Sequence, residues 1–488
     1  MQRMVHIPLG RSLGANTVSI VIPSSVDRHG LTLALAGSSV RPMLGAQLPL
    51  ASALPFVALL AAIALLPLVA PRWWHPNHNK ALLAVVVSLP VLWQLGIALG
   101  EPGRAVLVEK LHDYVGFIVV IGALFVITGG IHVQGSLSGT PLVNTGMLGL
   151  GAVLANLLGT TGASVLLIRP LLRANKSRRR SAHIVVFFIF LVANCGGLLT
   201  PMGDPPLLLG FLKGVPFEWT LRLWPQWLTA TGALLVIFNL WDQWALNREE
   251  RERPGSQLER VMVHEPLRVN GAASVAALGG VVLTIIAAGR AAADGRPWAV
   301  GRQEAVIALL ALIAYGAASS EHRERNAFTF GPIVEVAVLF AAIFVTMAPV
   351  LEILNGWSEG ARTVLGMRFG VTHPWEFFWT TGALSSVLDN APTYLAFAAS
   401  AAGLEGMPAH GPFIGALAHH PDTARLLAAI STGAVFMGAN TYIGNAPNFM
   451  VKAIAEENGI KMPSFFGYMA YSCGILLPLF VAITLLFF

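Results

Sequence analysis

The chain has 488 residues, of which 55% are hydrophobic and only 11% charged, and its mean hydropathy is +0.67. A soluble domain carries about 25% charged residues, so the composition excludes a soluble enzyme or binding module. The net charge of +6 comes from Lys and Arg gathered in alternate loops between apolar runs, the pattern of a membrane topology, and no nucleic-acid partner is expected.

Residues 1–50 contain an apolar patch, "LTLALAGSS", that is too short to span a bilayer and only loosely resembles a secretory signal. They are expected to form a signal-like or disordered tail. Apolar runs of about 20 residues can cross a hydrocarbon core of roughly 30 Å, and such runs follow at 54–70, 81–99 and 113–132. The stretch 141–168 is interrupted by Gly159-Thr160-Thr161-Gly162 and leads into a basic loop, 169–183, with Arg169, Arg173, Lys176, Arg178, Arg179 and Arg180. The run 184–212 is broken by "TPMGDPP" (200–206), and the run 223–243 ends at a polar linker, 245–268, that holds five more arginines.

The second part repeats this order, with runs at 271–289, 303–318 and 330–350 and then a stretch, 376–400, interrupted by Asp389-Asn390-Ala391-Pro392. A run at 424–456, broken by "TYIGNAP" (441–447), and a last one at 466–487 complete the chain. Reading 141–168 and 376–400 as re-entrant hairpins keeps both Arg-rich loops, with Arg72, Lys80, Arg323 and Arg325, on one side, which the positive-inside rule makes the cytoplasm. The first hairpin then enters from the cytoplasm and the second from outside, and the C-terminus lies outside. Cys195 and Cys473 both fall within apolar runs, so neither a disulfide framework nor a thiolate metal site is indicated.

"GTTGAS" (159–164) aligns with "LDNAPT" (388–393) at an offset of 229, and "TPMGDPP" aligns with "TYIGNAP" at an offset of 241. Five crossings separate the copies on this reading, and an odd number turns the second upside down. The expected fold is an all-α polytopic membrane protein: repeat 1 over 51–244, the linker, and repeat 2 over 269–488. It is an inverted repeat of about 5+5 transmembrane helices, with two re-entrant hairpins and two broken helices. Inverted repeats with discontinuous helices are the signature of secondary transporters, whose sites lie at the breaks.

Unwound backbone at membrane depth is tolerated where it lines a cavity. Its carbonyls, with hydroxyl and Asn or Asp oxygens, form a hard-oxygen shell suited to a small cation. The first half offers Thr160, Thr161, Ser164, Thr200 and Asp204; the second offers Ser385, Ser386, Asp389, Asn390, Thr393, Asn440, Thr441 and Asn445. Asp204 before Pro205-Pro206, Asp389 or Asn390 before Pro392, and Asn445 before Ala446-Pro447 also resemble helix N-caps. A neutral residue suffices for capping, whereas an ionised Asp at the bilayer centre costs about 2.5–3.5 kcal/mol. The repeat places Asn445 opposite Asp204 and Thr160 opposite Asp389. Asp204 and Asp389 are therefore expected to be functional carboxylates that also cap, one in each pseudo-symmetric site. Glu335 is expected to snorkel to the surface, and Asp113, Asp242 and His132 to be interfacial. No hydrolase, nucleotide-binding or metalloprotease motif occurs in suitable context, so no enzyme activity and no bound cofactor are expected.

At these residues the chain resembles the ion transporter superfamily, and the likeness covers nearly all of the sequence after residue 50. "NCGGLLTPMGDPP" is similar to the broken helix of NhaD-type sodium/proton antiporters, which implies a role for Asp204 with Thr200 beside it. "LDNAPT" is similar to their Asp-Asn hairpin tip, which implies Asp389 and Asn390, whereas "GTTGAS" departs from the pattern in having no carboxylate. Such chains also resemble proteins named as citrate transporters, and the fold is shared with sodium-coupled dicarboxylate carriers and arsenite exporters. The resemblance implies a homodimer in the bacterial inner membrane, with scaffold helices at the dimer interface and the hairpins in a mobile transport domain. Its leading implication is exchange of Na⁺, or Li⁺, for H⁺ at Asp204 and Asp389; a raised proton affinity on burial and competition from a nearby cation are enough to couple the two. The alternative is Na⁺- or H⁺-coupled uptake of citrate or another carboxylate, against which stands the lack of Arg or Lys at either tip or break.

Overall fold

Backbone polar groups inside a bilayer are satisfied only within helices or closed barrels, and this chain takes the helical solution. The computed structural model describes residues 3–8, 17–22, 44, 47–74, 76–252, 265–293, 296–326, 328–358, 371–404, 407 and 411–488. Most of the expected N-terminal tail and the middle of the linker lie outside the described residues.

The first half comprises α1 (Leu54–Val69), α2 (Asn77–Trp93), α3 (Gly100–Gly129), α4 (Pro141–Ala174), α5 (Ala182–Leu191), α6 (Pro205–Leu212) and α7 (Trp224–Glu252). The second comprises α8 (Ala272–Ala293), α9 (Arg302–Ala317), α10 (Gly331–Ser358), α11 (Pro374–Ser385), α12 (Asn390–Leu404), α13 (Pro421–Met437), α14 (Ala446–Glu457) and α15 (Phe465–Phe487). Among the described residues, nine helical stretches are long and apolar enough to cross a membrane. The architecture is all-α and polytopic. Two short antiparallel ribbons add to what the sequence led us to expect: β1 (Arg3–Pro8) with β2 (Thr17–Ile22), and β3 (His132–Ser136) with β4 (Glu265–Asn270). The expected 245–268 linker thus starts as a continuation of α7 and ends in β4.

Side-chain chemistry sorts these helices by depth. On α2 the exposed Leu82, Val85, Val86 and Leu89 recur at helical spacing, while Ala84, Ser88 and Val91 are buried; the bulky stripe faces outward and the small one inward. Every residue of α5 from His183 to Leu191 is buried, so α5 is a core helix. It leads directly into the first break.

Both interrupted stretches fold back on themselves. In α4 the helical course stops at Gly159, whose φ of 74° and ψ of 157° lie in a region open essentially only to glycine. The two arms then run side by side, and Asn144 and Asn175 at their open end exchange side-chain hydrogen bonds of 2.9 and 2.7 Å. The α11 and α12 arms meet through the Phe377 and Phe397 rings, 6.3 Å apart.

The two breaks share local geometry. After α5 a short 3₁₀ turn, Cys195–Leu199, precedes α6, and after α13 another, Gly438–Asn440, precedes α14. Thr200 and Thr441 have φ, ψ of −136°, 155° and −136°, 166°; Asp204 and Asn445 have −146°, 148° and −151°, 139°. Each break folds so tightly that glycine meets glycine: a Cβ on Gly203 would sit 2.1 Å from the Gly197 carbonyl oxygen, and one on Gly444 2.6 Å from that of Gly438.

The basic segments around 173–180 and 248–252 gather with β3 at one end of the molecule. Arg173 donates to the Val133 carbonyl at 2.9 Å, Arg180 pairs with Glu252 at 2.8 Å, and His132 meets Asn326 at 2.7 Å. His132 and Asp242 are buried within the protein. Asp242 pairs with Arg178 at 2.7 Å and His183 at 2.9 Å and accepts from Asn144 at 2.9 Å. This network ties the open end of the first hairpin to α5 and α7. Its members come from three separate stretches of chain, which is why the partners of Asp242 are not legible from its position near a span end.

Candidate functional site

Asp204 is 2% exposed and stands where both hairpin tips and both breaks converge. Its Oδ1 accepts from the Thr160 hydroxyl at 2.8 Å and from Asn445 Nδ2 at 3.2 Å, and its Oδ2 accepts from Asn390 Nδ2. Thr160 belongs to the first hairpin tip, Asn390 to the second, and Asn445 to the second break. One carboxylate therefore ties its own segment to three others, the farthest 241 residues away from it in sequence.

The expectation that Asp204 also caps its helix fails. It occupies the N-cap position of α6, yet its side chain makes no capping hydrogen bond. The reason is local. Pro205 and Pro206 have no N–H to donate, and the next N–H, that of Leu207, goes to the Asp204 backbone carbonyl at 3.1 Å, so the carboxylate is free to face other elements. Asp389 does cap: its Oδ1 accepts from the Ala391 N–H at 3.2 Å. Asp389 is half-buried and lines a cavity of about 850 Å³ together with Asp204, Thr160, Thr161 and Asn445. Glu335 does not snorkel away from this region. It pairs with the buried Lys80 at 2.8 Å, and both line the same cavity.

The remaining candidate residues fall elsewhere. The Thr200 hydroxyl donates to the Asn156 carbonyl, and the Thr441 hydroxyl donates to that of Ser386 at 2.5 Å, so each break is fastened to its own hairpin. Asn440 donates to the Ser386 hydroxyl at 2.9 Å, Ser385 to the Ala434 carbonyl at 2.7 Å, and Thr393 to the Asp389 carbonyl at 3.0 Å. Ser164 is buried in the second arm of α4, and its hydroxyl has no hydrogen-bond partner among the described residues. None of these hydroxyls reaches Asp204.

Two residues that sequence reasoning passed over complete the site. Asn194 donates to Asn448 Oδ1 at 2.7 Å, and Asn448 donates in turn to the Gly438 and Thr441 carbonyls at 2.8 and 2.9 Å. This clasp joins the two breaks directly behind Asp204 and Asn445. A buried Asn in an otherwise apolar run was its only signal.

What the arrangement offers is a buried carboxyl group held by neutral donors. Among the described residues no Lys, Arg or His pairs with Asp204 or Asp389; the cavity's Lys80 is engaged by Glu335. The Asn390 Oδ1 atom is buried with no hydrogen-bond partner among the described residues, although a buried carbonyl oxygen left unpaired costs about 1–3 kcal/mol. Carboxylate and amide oxygens so placed suit a hard cation or a proton.

Long apolar helices, two of them broken at the core, with polar side chains meeting at the breaks, define a helical membrane protein built as secondary transporters are. The family model described as "Putative citrate transport" matches residues 45–488, and the chain belongs to that family of membrane transporters. Comparison with curated proteins finds no match. A similar solved structure is that of the YdaH transporter of Alcanivorax borkumensis, with 15% identity, a TM-score of 0.41, and coverage of 84% of this chain and 97% of that one.

Proposed function

We propose that the protein exchanges Na⁺, or Li⁺, for H⁺, with proton and cation competing for Asp204 and Asp389. The observation that carries this reading is the unneutralised carboxylate. Asp204 is buried, receives three neutral hydrogen bonds, and has no protein cation in pairing distance among the described residues. An ionised Asp at membrane depth is costly unless something positive accompanies it, and a proton or transported cation can fill that role in turn. Asn390 supports the same reading, because its N–H side holds Asp204 while its unpartnered oxygen faces away from that bond. Competition for one set of oxygens couples the two fluxes without any further device. The basic loops 169–183 and 245–268 are proposed to be cytoplasmic, in an inner-membrane homodimer.

Asp204→Asn keeps the shape and removes the charge. In everted membrane vesicles the wild-type protein is expected to collapse a pH gradient on addition of Na⁺ or Li⁺, and Asp204→Asn to lose the response while remaining monodisperse. Undiminished exchange by the mutant would remove the proposal.

Coupled uptake of citrate or another carboxylate is the second reading. The family description favours it, and so does a cavity of about 850 Å³, within the roughly 300–1,000 Å³ of small-molecule sites. Radiolabelled citrate entering proteoliposomes under a Na⁺ or pH gradient, with no Na⁺-driven proton movement when citrate is absent, would select it.

A further inference from the structure

A second cavity, of about 830 Å³, lies away from Asp204 at the end of the molecule where the basic loops gather. Among the described residues, seven Lys or Arg line it, with His183, and no Asp or Glu does. Five of the seven come from the end of α4 and the loop after it: Arg173, Lys176, Arg178, Arg179 and Arg180. Arg248 of α7 and Lys461, just beyond α14, supply the others.

Part of the lining is built rigidly. Arg178 and His183 are buried and held by Asp242. By contrast Lys176, Arg179 and Lys461 are exposed, and among the described residues no carboxylate pairs with them. Beside them Trp241 and Tyr471 stack with centroids 5.6 Å apart, and the exposed Trp244 carries the Arg248 guanidinium 5.5 Å from its ring. Tryptophan and tyrosine gather at the headgroup level of a bilayer, and basic pockets between transmembrane helices at that level hold anionic lipid headgroups.

We infer that this cavity binds the phosphate-bearing headgroup of an anionic phospholipid. Lys176, Arg179 and Lys461 meet the phosphate oxygens, the buried Arg178, paired with Asp242, fixes the loop that carries them, and the aromatic pair packs against the glycerol and upper acyl region. The site joins the end of the first hairpin, the start of α5 leading into the first break, and the chain leaving the second. A bound lipid would brace the three segments together, whatever the transported substrate.

Native mass spectrometry of the purified full-length protein, titrated with phosphatidylglycerol or phosphatidylcholine, tests this. The wild type is expected to retain phosphatidylglycerol preferentially. Combining Lys176→Gln, Arg179→Gln and Lys461→Gln, which leaves the Arg178–Asp242 anchor intact, is expected to weaken that binding on the order of 100-fold, and Lys461→Gln alone about 5-fold. A matched control with the exposed Arg72, Arg104 and Arg222 each changed to Gln should bind as the wild type does. Equal retention of both lipids, no loss in the triple variant, or the same loss in the control would each overturn the inference. Displacement of the lipid by millimolar inorganic phosphate or citrate would also overturn it and assign the cavity to a soluble anion.

Discussion

At the scale of single residues, Asp204 and Asp389 look alike in sequence and differ in what their oxygens do. Asp204 gives both to other segments, because the two prolines after it offer no N–H and the Leu207 N–H goes to its backbone carbonyl. Asp389 spends one oxygen on the Ala391 N–H and presents its carboxylate to the cavity. Capping and charge can therefore be separated at Asp389. Asn caps as well as Asp does, so Asp389→Asn should leave thermal stability within about 0.5 kcal/mol of wild type. If the charge also holds the cation, the same variant should raise the apparent KM for Na⁺ about ten-fold or more, the equivalent of about 1.4 kcal/mol, as read from Na⁺ titration of proton release in vesicles. Wild-type KM in a stable Asp389→Asn protein would reduce Asp389 to a cap. The two carboxylates were legible because a charge inside an apolar run stands out. Their division of labour was not, since it depends on Thr160, Asn390 and Asn445 arriving from distant segments.

At the scale of elements, the interruptions themselves were readable, because Pro and Gly punctuate helices by fixed backbone rules. "GTTG" marks the fold-back in α4, and "TPMGDPP" and "TYIGNAP" mark breaks whose φ, ψ angles agree position by position. The fastenings between elements were hidden. Asn194–Asn448 and Arg178–Asp242 join positions 254 and 64 residues apart, and no spacing rule reaches that far. The first hairpin tip makes the mechanical point. Gly159 holds a positive φ that places Thr160 against Asp204, and a Cβ there would lie 3.2 Å from the Met202 carbonyl oxygen. Gly159→Ala is therefore expected to store about 1–3 kcal/mol of backbone strain or to release it by moving Thr160. Either way exchange should fall in vesicles, with a lowered thermal midpoint in detergent. An Ala variant with wild-type transport and midpoint would show that the tip conformation is dispensable.

At the scale of the whole molecule, the hairpins come to Asp204 from opposite ends. The first opens at the end of the basic loops, where Asn144, Asn175 and Arg178 surround Asp242. The second runs away from Asp204 along α6, with Tyr394 of α12 packed against Gly210. Alternating access needs such a layout, because a midplane site must be reachable from one side at a time. The inverted-repeat reading assigns these ends to opposite faces of the membrane, and that assignment can be tested without any transport assay. Lys176 and Thr372 are both exposed, one beside each hairpin's open end. Cys195 is buried, and the exposed Cys473 can be replaced by Ser to give a quiet background. In intact cells a membrane-impermeant maleimide should then label Thr372→Cys and spare Lys176→Cys, and in everted vesicles the pattern should reverse. Labelling of both from the same side would place the hairpins in parallel and end the inverted reading. Reciprocal labelling would make Asp204 the point where two oppositely directed gates meet, which is the position from which one carboxylate can exchange its cation with either side.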